Sequence, residues 1–116
     1  MNKAILSGRI SSTPELKTTP SGNAVCTFGL ATRRHTRSDE CDFHNIVTWD
    51  KLAENCAKFL VKGQSVSLIG EIRYRKYEAK DGGKRRETEI IVQDIEFGAK
   101  PQEKGVATNS EEKHPF

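Results

Sequence analysis

No stretch of this 116-residue chain approaches the roughly eighteen consecutive apolar residues that a membrane-spanning helix needs. The opening MNKAILSGRI has too short an apolar run and no small-residue cleavage site, so no signal peptide is expected. Cysteine is scarce and odd in number: Cys26, Cys41 and Cys56 cannot make an even disulfide framework. That favours a reducing compartment, and a cytoplasmic location is the expectation. Cys41-Asp42-Phe43-His44 has the gap of a metal-ligand pair, but a zinc site needs a second pair, and the sequence has none. Neither a metal nor any other cofactor is expected.

Catalytic signatures are missing as well. No serine or cysteine sits in a nucleophile motif, and Gly82-Gly83-Lys84 lacks the spacing of a phosphate-binding loop. Asp39-Glu40 and Glu111-Glu112 are adjacent in sequence, where two carboxylates cannot be held across a scissile bond. His35, His44 and His114 have no sequence-evident orienting partner. An enzyme is not expected. Net charge is small too, at +3, so any electrostatic footprint has to be a patch rather than a sum.

Several strands are legible. Ala4–Ile10 reads as a strand, followed by turns at Thr13-Pro14-Glu15 and Pro20-Ser21-Gly22-Asn23. From Ala24 to Thr32 the chain alternates, with Cys26, Phe28 and Leu30 on one face. Residues 33 to 41 carry charge without apolar period and read as a loop. Phe43–Trp49 is a third strand by its β-branched and aromatic content. The period then changes: Leu52, Cys56, Phe59 and Leu60 fall on one helical stripe, with Asp50 as the expected N-cap and Gly63 as the expected left-handed stop. Gln64–Tyr77 and Glu87–Phe97 are two further strands around an Asp81-Gly82-Gly83 turn, with a bulge expected near Ile95 or Phe97.

Five strands with one helix between the third and fourth predict an OB-fold barrel, all-β, over residues 1 to 98. Residues 99 to 116, rich in Pro, Gly, Ser and charge, are expected to form a flexible tail.

Charge is concentrated in one hairpin. Residues 71 to 86 hold seven cations and three anions, a local excess larger than the net charge of the whole protein. Period two sets Arg73, Arg75 and Tyr77 on one face of the fourth strand, with Ile72, Tyr74 and Lys76 on the other. Tyr74 is expected to turn inward with Ile72 and join the core. Two guanidinium groups beside a ring suit phosphate pairing and base stacking, the latter indifferent to which base it meets.

On the third strand, Phe43, Asn45, Val47 and Trp49 share a face, the two rings about 20 Å apart. Two readings of that face stay open: barrel core, or a stacking platform flanked by Arg33, Arg34, Arg37 and Lys51.

The segments NKAILSGRISSTPELKTTPSGNAVCTFGLAT and FHNIVTWDKLAENCAKFLVKGQSVSLIGEIRYRKYEAKDGGKRRETEIIVQDIEF, with the final PF, resemble the bacterial-type single-stranded DNA-binding protein family (SSB). The resemblance implies an OB fold, a homotetramer and sequence-tolerant binding of single-stranded DNA without catalysis. Such a protein coats and protects exposed strands in DNA replication, recombination and repair, in a bacterial, phage or plasmid setting at the nucleoid.

It places Phe43, Trp49 and Tyr77 at the family's stacking positions, and His44 at a subunit contact. A fourth family aromatic belongs in the loop after LAT, where this chain has RRHTRSDE and no aromatic ring. Binding is therefore expected to lean on charge, with Arg33, Arg34, Arg73, Arg75, Lys84, Arg85 and Arg86 as the leading phosphate contacts. The resemblance also implies a C-terminal segment that docks replication, recombination and repair proteins, here Glu111, Glu112, Pro115 and Phe116, with Lys113 and His114 interrupting the acidic run. Two rival readings remain: an interaction module of a replication or primosome assembly with weak DNA binding, and RNA binding through the barrel.

Overall fold

The computed structural model describes residues 1–36 and 39–101. All five expected strands and the helix are present, and one strand more. The elements run β1 (Ala4–Ile10), β2 (Glu15–Thr18), β3 (Ala24–Arg33), β4 (Cys41–Trp49), α1 (Asp50–Phe59), β5 (Ser65–Glu78) and β6 (Lys84–Phe97). The unforeseen strand is β2, which pairs with the outer edge of β3. Its four residues, ELKT, are all exposed, so no apolar alternation marks them.

The sheet order is β1-β5-β6-β4-β3-β2, and a further pairing of β1 with β3 closes it into the OB barrel. Closure happens at the end of β1, where Arg9 meets Ala31 and Ile10 meets Leu30. Gly8 makes this approach possible: a Cβ there would stand 2.1 Å from the Ala31 carbonyl oxygen. β4 and β6 pair in parallel over three residues, and every other pairing is antiparallel.

The barrel interior takes alternate residues from each strand, among them Cys26, Phe28, Leu30, Ile46, Leu68 and Ile90. Buried Thr48 is satisfied by donating to the Cys26 carbonyl at 2.9 Å. The expected bulge falls in β6: Ile69 faces Asp94 while Gly70 faces Val92, leaving Gln93 as the extra residue. The shift keeps both Val92 and Ile95 turned toward the interior side, with Ile95 half-buried.

Helix α1 covers one end of the barrel through Ala53 and Cys56. Its ends differ from the expectation. Asp50 makes no side-chain cap; instead its backbone takes a left-handed φ of 59°, so Trp49 is the N-cap residue in extended conformation. The sharp turn at Asp50 lets β4 run straight into the helix, a conformation aspartate tolerates better than most residues.

At the other end the helix stops at Phe59, with Leu60 already extended. Gly63, at φ 91°, therefore serves the following turn, where its N–H donates to the Ile10 carbonyl at 2.7 Å. Phe59, expected on the buried stripe, is exposed.

Strands β5 and β6 are 14 residues each and outrun the barrel. Pairing continues to Glu78–Lys84, and side chains past Arg73 on β5 are exposed on both faces. This free arm ends in a turn held by Ala79 N–H donating to the Gly83 carbonyl and by Asp81 accepting from Gly83 N–H.

Candidate nucleic-acid interface

The outer face of β4 excludes the core reading, one of the two left open by the sequence. Ile46 and Thr48 point into the barrel and are fully buried, so Phe43, Asn45, Val47 and Trp49 point away from it. Phe43 is 71% exposed and Trp49 40% exposed, and only Val47 in this row is buried. A core face would hide both rings. The face is an open surface with an aromatic side chain toward each end.

Between the rings lies a groove of about 560 Å³. Its floor is Thr27 and Gly29 of β3 with Asn45 and Val47 of β4; β2 contributes Glu15 and Lys17, and the arm contributes Arg75, Glu87 and Glu89. Lys17 and Glu15 escaped the sequence reading because β2 itself did. Asn45 donates to Glu87 at 3.2 Å and to the Thr88 carbonyl at 3.3 Å, tying β4 to the arm where the parallel pairing ends.

Tyr77 is 44% exposed near the far end of the arm, with the Arg75 guanidinium 5.6 Å from its ring centroid. Cross-strand register explains the partner choice of Arg75. Glu87 is directly opposite and Glu89 is its diagonal neighbour, and the guanidinium bonds to both, at 3.0 Å to Glu89. The hydrogen bond to Glu89 and the charge beside it hold the Arg75 pKa above its ordinary value.

The seven expected phosphate contacts divide into two groups. Arg34 is paired with Asp42 and Glu40, Arg73 with Glu71, Arg75 with Glu87 and Glu89, and Arg85 with Asp81. Arg33, Lys84 and Arg86 make no ion pair among the described residues, and neither do Lys17 and Lys76. The groove itself carries three carboxylates against two cations. Of its two cations, Arg75 is engaged by carboxylates and Lys17 makes no ion pair among the described residues.

One expectation is overturned. Tyr74 is not core: it is 65% exposed, more than Tyr77. Alternation correctly set it on the inward side with Ile72, but the barrel ends before it, so that side faces solvent. Arg86 lies over its ring at 5.8 Å. His44, half-buried, shares a 2.8 Å hydrogen bond with the Thr32 hydroxyl. Arg37 and the segment with Glu111, Glu112, Pro115 and Phe116 lie outside the described residues.

A family model described as the single-strand binding protein family matches residues 1–98. The chain belongs to this family. Among curated relatives, a single-stranded DNA-binding protein of Clostridium tetani is 44% identical over 101 residues, covering 84% of this chain and 70% of that protein. Single-stranded DNA-binding protein 3 of Clostridium acetobutylicum matches to the same extent, at 44% over 101 residues and the same shares of each chain.

Among solved structures, the Plasmodium falciparum SSB in complex with ssDNA superposes with a TM-score of 0.71 at 31% identity, over 84% of this chain and 94% of that one. The family is one of non-enzymatic DNA-binding proteins, in keeping with a site whose parts are rings, amides and ion pairs. No described helix is long and apolar enough to cross a membrane.

Proposed function

We propose that the protein binds single-stranded DNA without sequence preference and coats exposed strands in replication, recombination and repair. The observation that carries this reading is the outer face of β4, where two large rings stand in solvent at either end of a polar groove. Each ring offers a π-face to any base, and a stack contributes roughly 1–3 kcal/mol irrespective of base identity. Phe43, Trp49 and Tyr77 are the stacking residues. Arg33, Lys84 and Arg86 supply the first phosphate contacts, because their charges are not committed elsewhere among the described residues; Arg34, Arg73, Arg75 and Arg85 contribute by exchanging a carboxylate partner for a phosphate.

Trp49 is the sole tryptophan, which makes the test direct. Oligothymidylate is expected to quench its fluorescence, and alanine at Phe43 or Tyr77 to weaken binding. Quenching by a matched RNA oligomer at equal affinity would instead favour the RNA reading.

Three further statements rest on the resemblance and belong to the proposal: assembly as a homotetramer with His44 at a subunit contact, docking of replication and repair proteins through Glu111, Glu112, Pro115 and Phe116, and residence at the nucleoid. Light scattering at micromolar concentration tests the first. Removing residues 111 to 116 tests the second, since intact partner interactions after the deletion would refute it.

A further inference from the structure

The arm has a second face from which the DNA-binding reading takes only the charges of Lys84 and Arg86, leaving Tyr74 and Lys76 unused. On the groove side its cations are neutralised: Arg73, Arg75 and Arg85 are each bonded to a carboxylate. On the reverse side, Lys76, Lys84 and Arg86 share the face with a single acid, Glu78, and none of the three makes an ion pair among the described residues. Tyr74 stands in their midst, directly across from Thr88 and beneath Arg86. The uncompensated positive charge of the arm and its more exposed tyrosine are therefore on the same side, and it is not the groove side.

A passage joins the two sides. Where β4 and β6 part company, a notch of about 300 Å³ opens between Phe43 and Asn45 on one wall and Arg86, Thr88 and Ile90 on the other. Phe43 borders this notch and shares its strand face with the groove floor, so a strand leaving the groove over Phe43 has Arg86 next in its path and Tyr74 beyond.

We propose that the reverse face of the arm, built from Tyr74, Lys76, Lys84 and Arg86, is a second contact surface for the same single strand, with Tyr74 as an additional stacking residue reached through the Phe43–Arg86 notch. The inference rests on the proposed DNA-binding function. Its chemistry is the same, a ring for a base and unpaired cations for phosphates, and it supplies an aromatic to a chain that lacks one in the loop after residue 32.

The test is photocrosslinking of full-length protein to oligothymidylate of about 16 nucleotides, the upper site size of one OB fold, carrying 5-iodouracil. Peptide mapping is expected to find adducts on Tyr74 as well as on the groove aromatics. In parallel, Tyr74→Ala should weaken binding about fivefold to a hundredfold, the loss of one stack, while Tyr74→Phe binds as the parent. Lys76→Gln, at a cation outside the groove reading, should lower the slope of log K against log salt by about 0.7, which a purely structural role would not do.

Wild-type affinity in Tyr74→Ala, with Tyr77→Ala impaired and no adduct on Tyr74, overturns the second surface and leaves the groove reading intact. Loss of assembly in light scattering with unchanged DNA affinity also overturns it, and gives the face to a second copy of the chain. A parent protein that binds no oligothymidylate overturns both readings.

Discussion

Replacing Glu87 and Glu89 together by glutamine should make the protein bind DNA more tightly. Both carboxylates line the groove, and both hold Arg75. The change keeps their shape and leaves an amide oxygen to accept from the guanidinium, but it turns the groove from one excess negative charge to one excess positive. A phosphate passing about 7 Å from a carboxylate is repelled by about 0.6 kcal/mol at the dielectric of water. Screening leaves about four-fifths of that at 10 mM salt, where the Debye length is about 30 Å, and less than half at physiological salt, where it is about 8 Å. Two charges removed then amount to roughly a fivefold gain in affinity at 10 mM salt and roughly a twofold gain at physiological salt.

The ion pairs themselves are solvent-exposed on the arginine side, so their loss costs stability by no more than about 1 kcal/mol each. Tryptophan fluorescence titrations at the two salt concentrations measure the first effect, and a thermal melt the second. Unchanged or weaker binding at low salt, with the melt intact, would refute the reasoning. It would mean that the carboxylates hold Arg75 in place for the strand rather than compete with the strand for it.

Asp50 sits at φ 59° without a side-chain cap, so Asp50→Val should destabilise the fold by about 1–2 kcal/mol, whereas Asp50→Gly should melt close to the parent. Gly8→Ala puts a methyl group against the Ala31 carbonyl and should prevent barrel closure, read as loss of a cooperative melt. A thiol reagent should find one fast cysteine, Cys41, in the native protein and all three in denaturant, because Cys26 and Cys56 are buried. Burial pushes the Cys56 thiol up to about 11, with neighbouring Cys26 adding to the shift and the Thr48 hydroxyl opposing it. The neutral thiol is the form the fold accommodates. Its contribution to stability is thus complete below about pH 9, where the unfolded thiol is also protonated, and is lost as pH rises through about 11. Urea midpoints measured from pH 8 to pH 11 check that sign.

How far the sequence could be read depended on whether a residue had the barrel behind it. Cys26, Phe28 and Leu30 alternate against a packed core, and their strand was plain. Strand β2 buries none of its four side chains, and Glu15-Leu16-Lys17-Thr18 gave no pattern to find. Tyr74 shows the converse failure: alternation assigned its side correctly but carries no information about where the barrel ends. The partners of Arg75 depend on a register shared by two strands joined through a turn, so they became visible only when Glu87 was seen to lie opposite. Phe43 and Trp49 were legible as a pair on one face, and whether that face met core or solvent was settled by the burial of Ile46 and Thr48 on the other.

The central claim is that this surface takes single-stranded DNA through rings and phosphate contacts together. The salt dependence of Trp49 quenching by oligothymidylate tests both halves at once. Three phosphate contacts from the unpaired cations, rising to seven as the paired arginines engage, predict strong quenching at low salt and a slope of log K against log salt of about −2 to −5. Trp49 fluorescence that does not respond to oligothymidylate at low salt, or an affinity that does not change with salt, would contradict it.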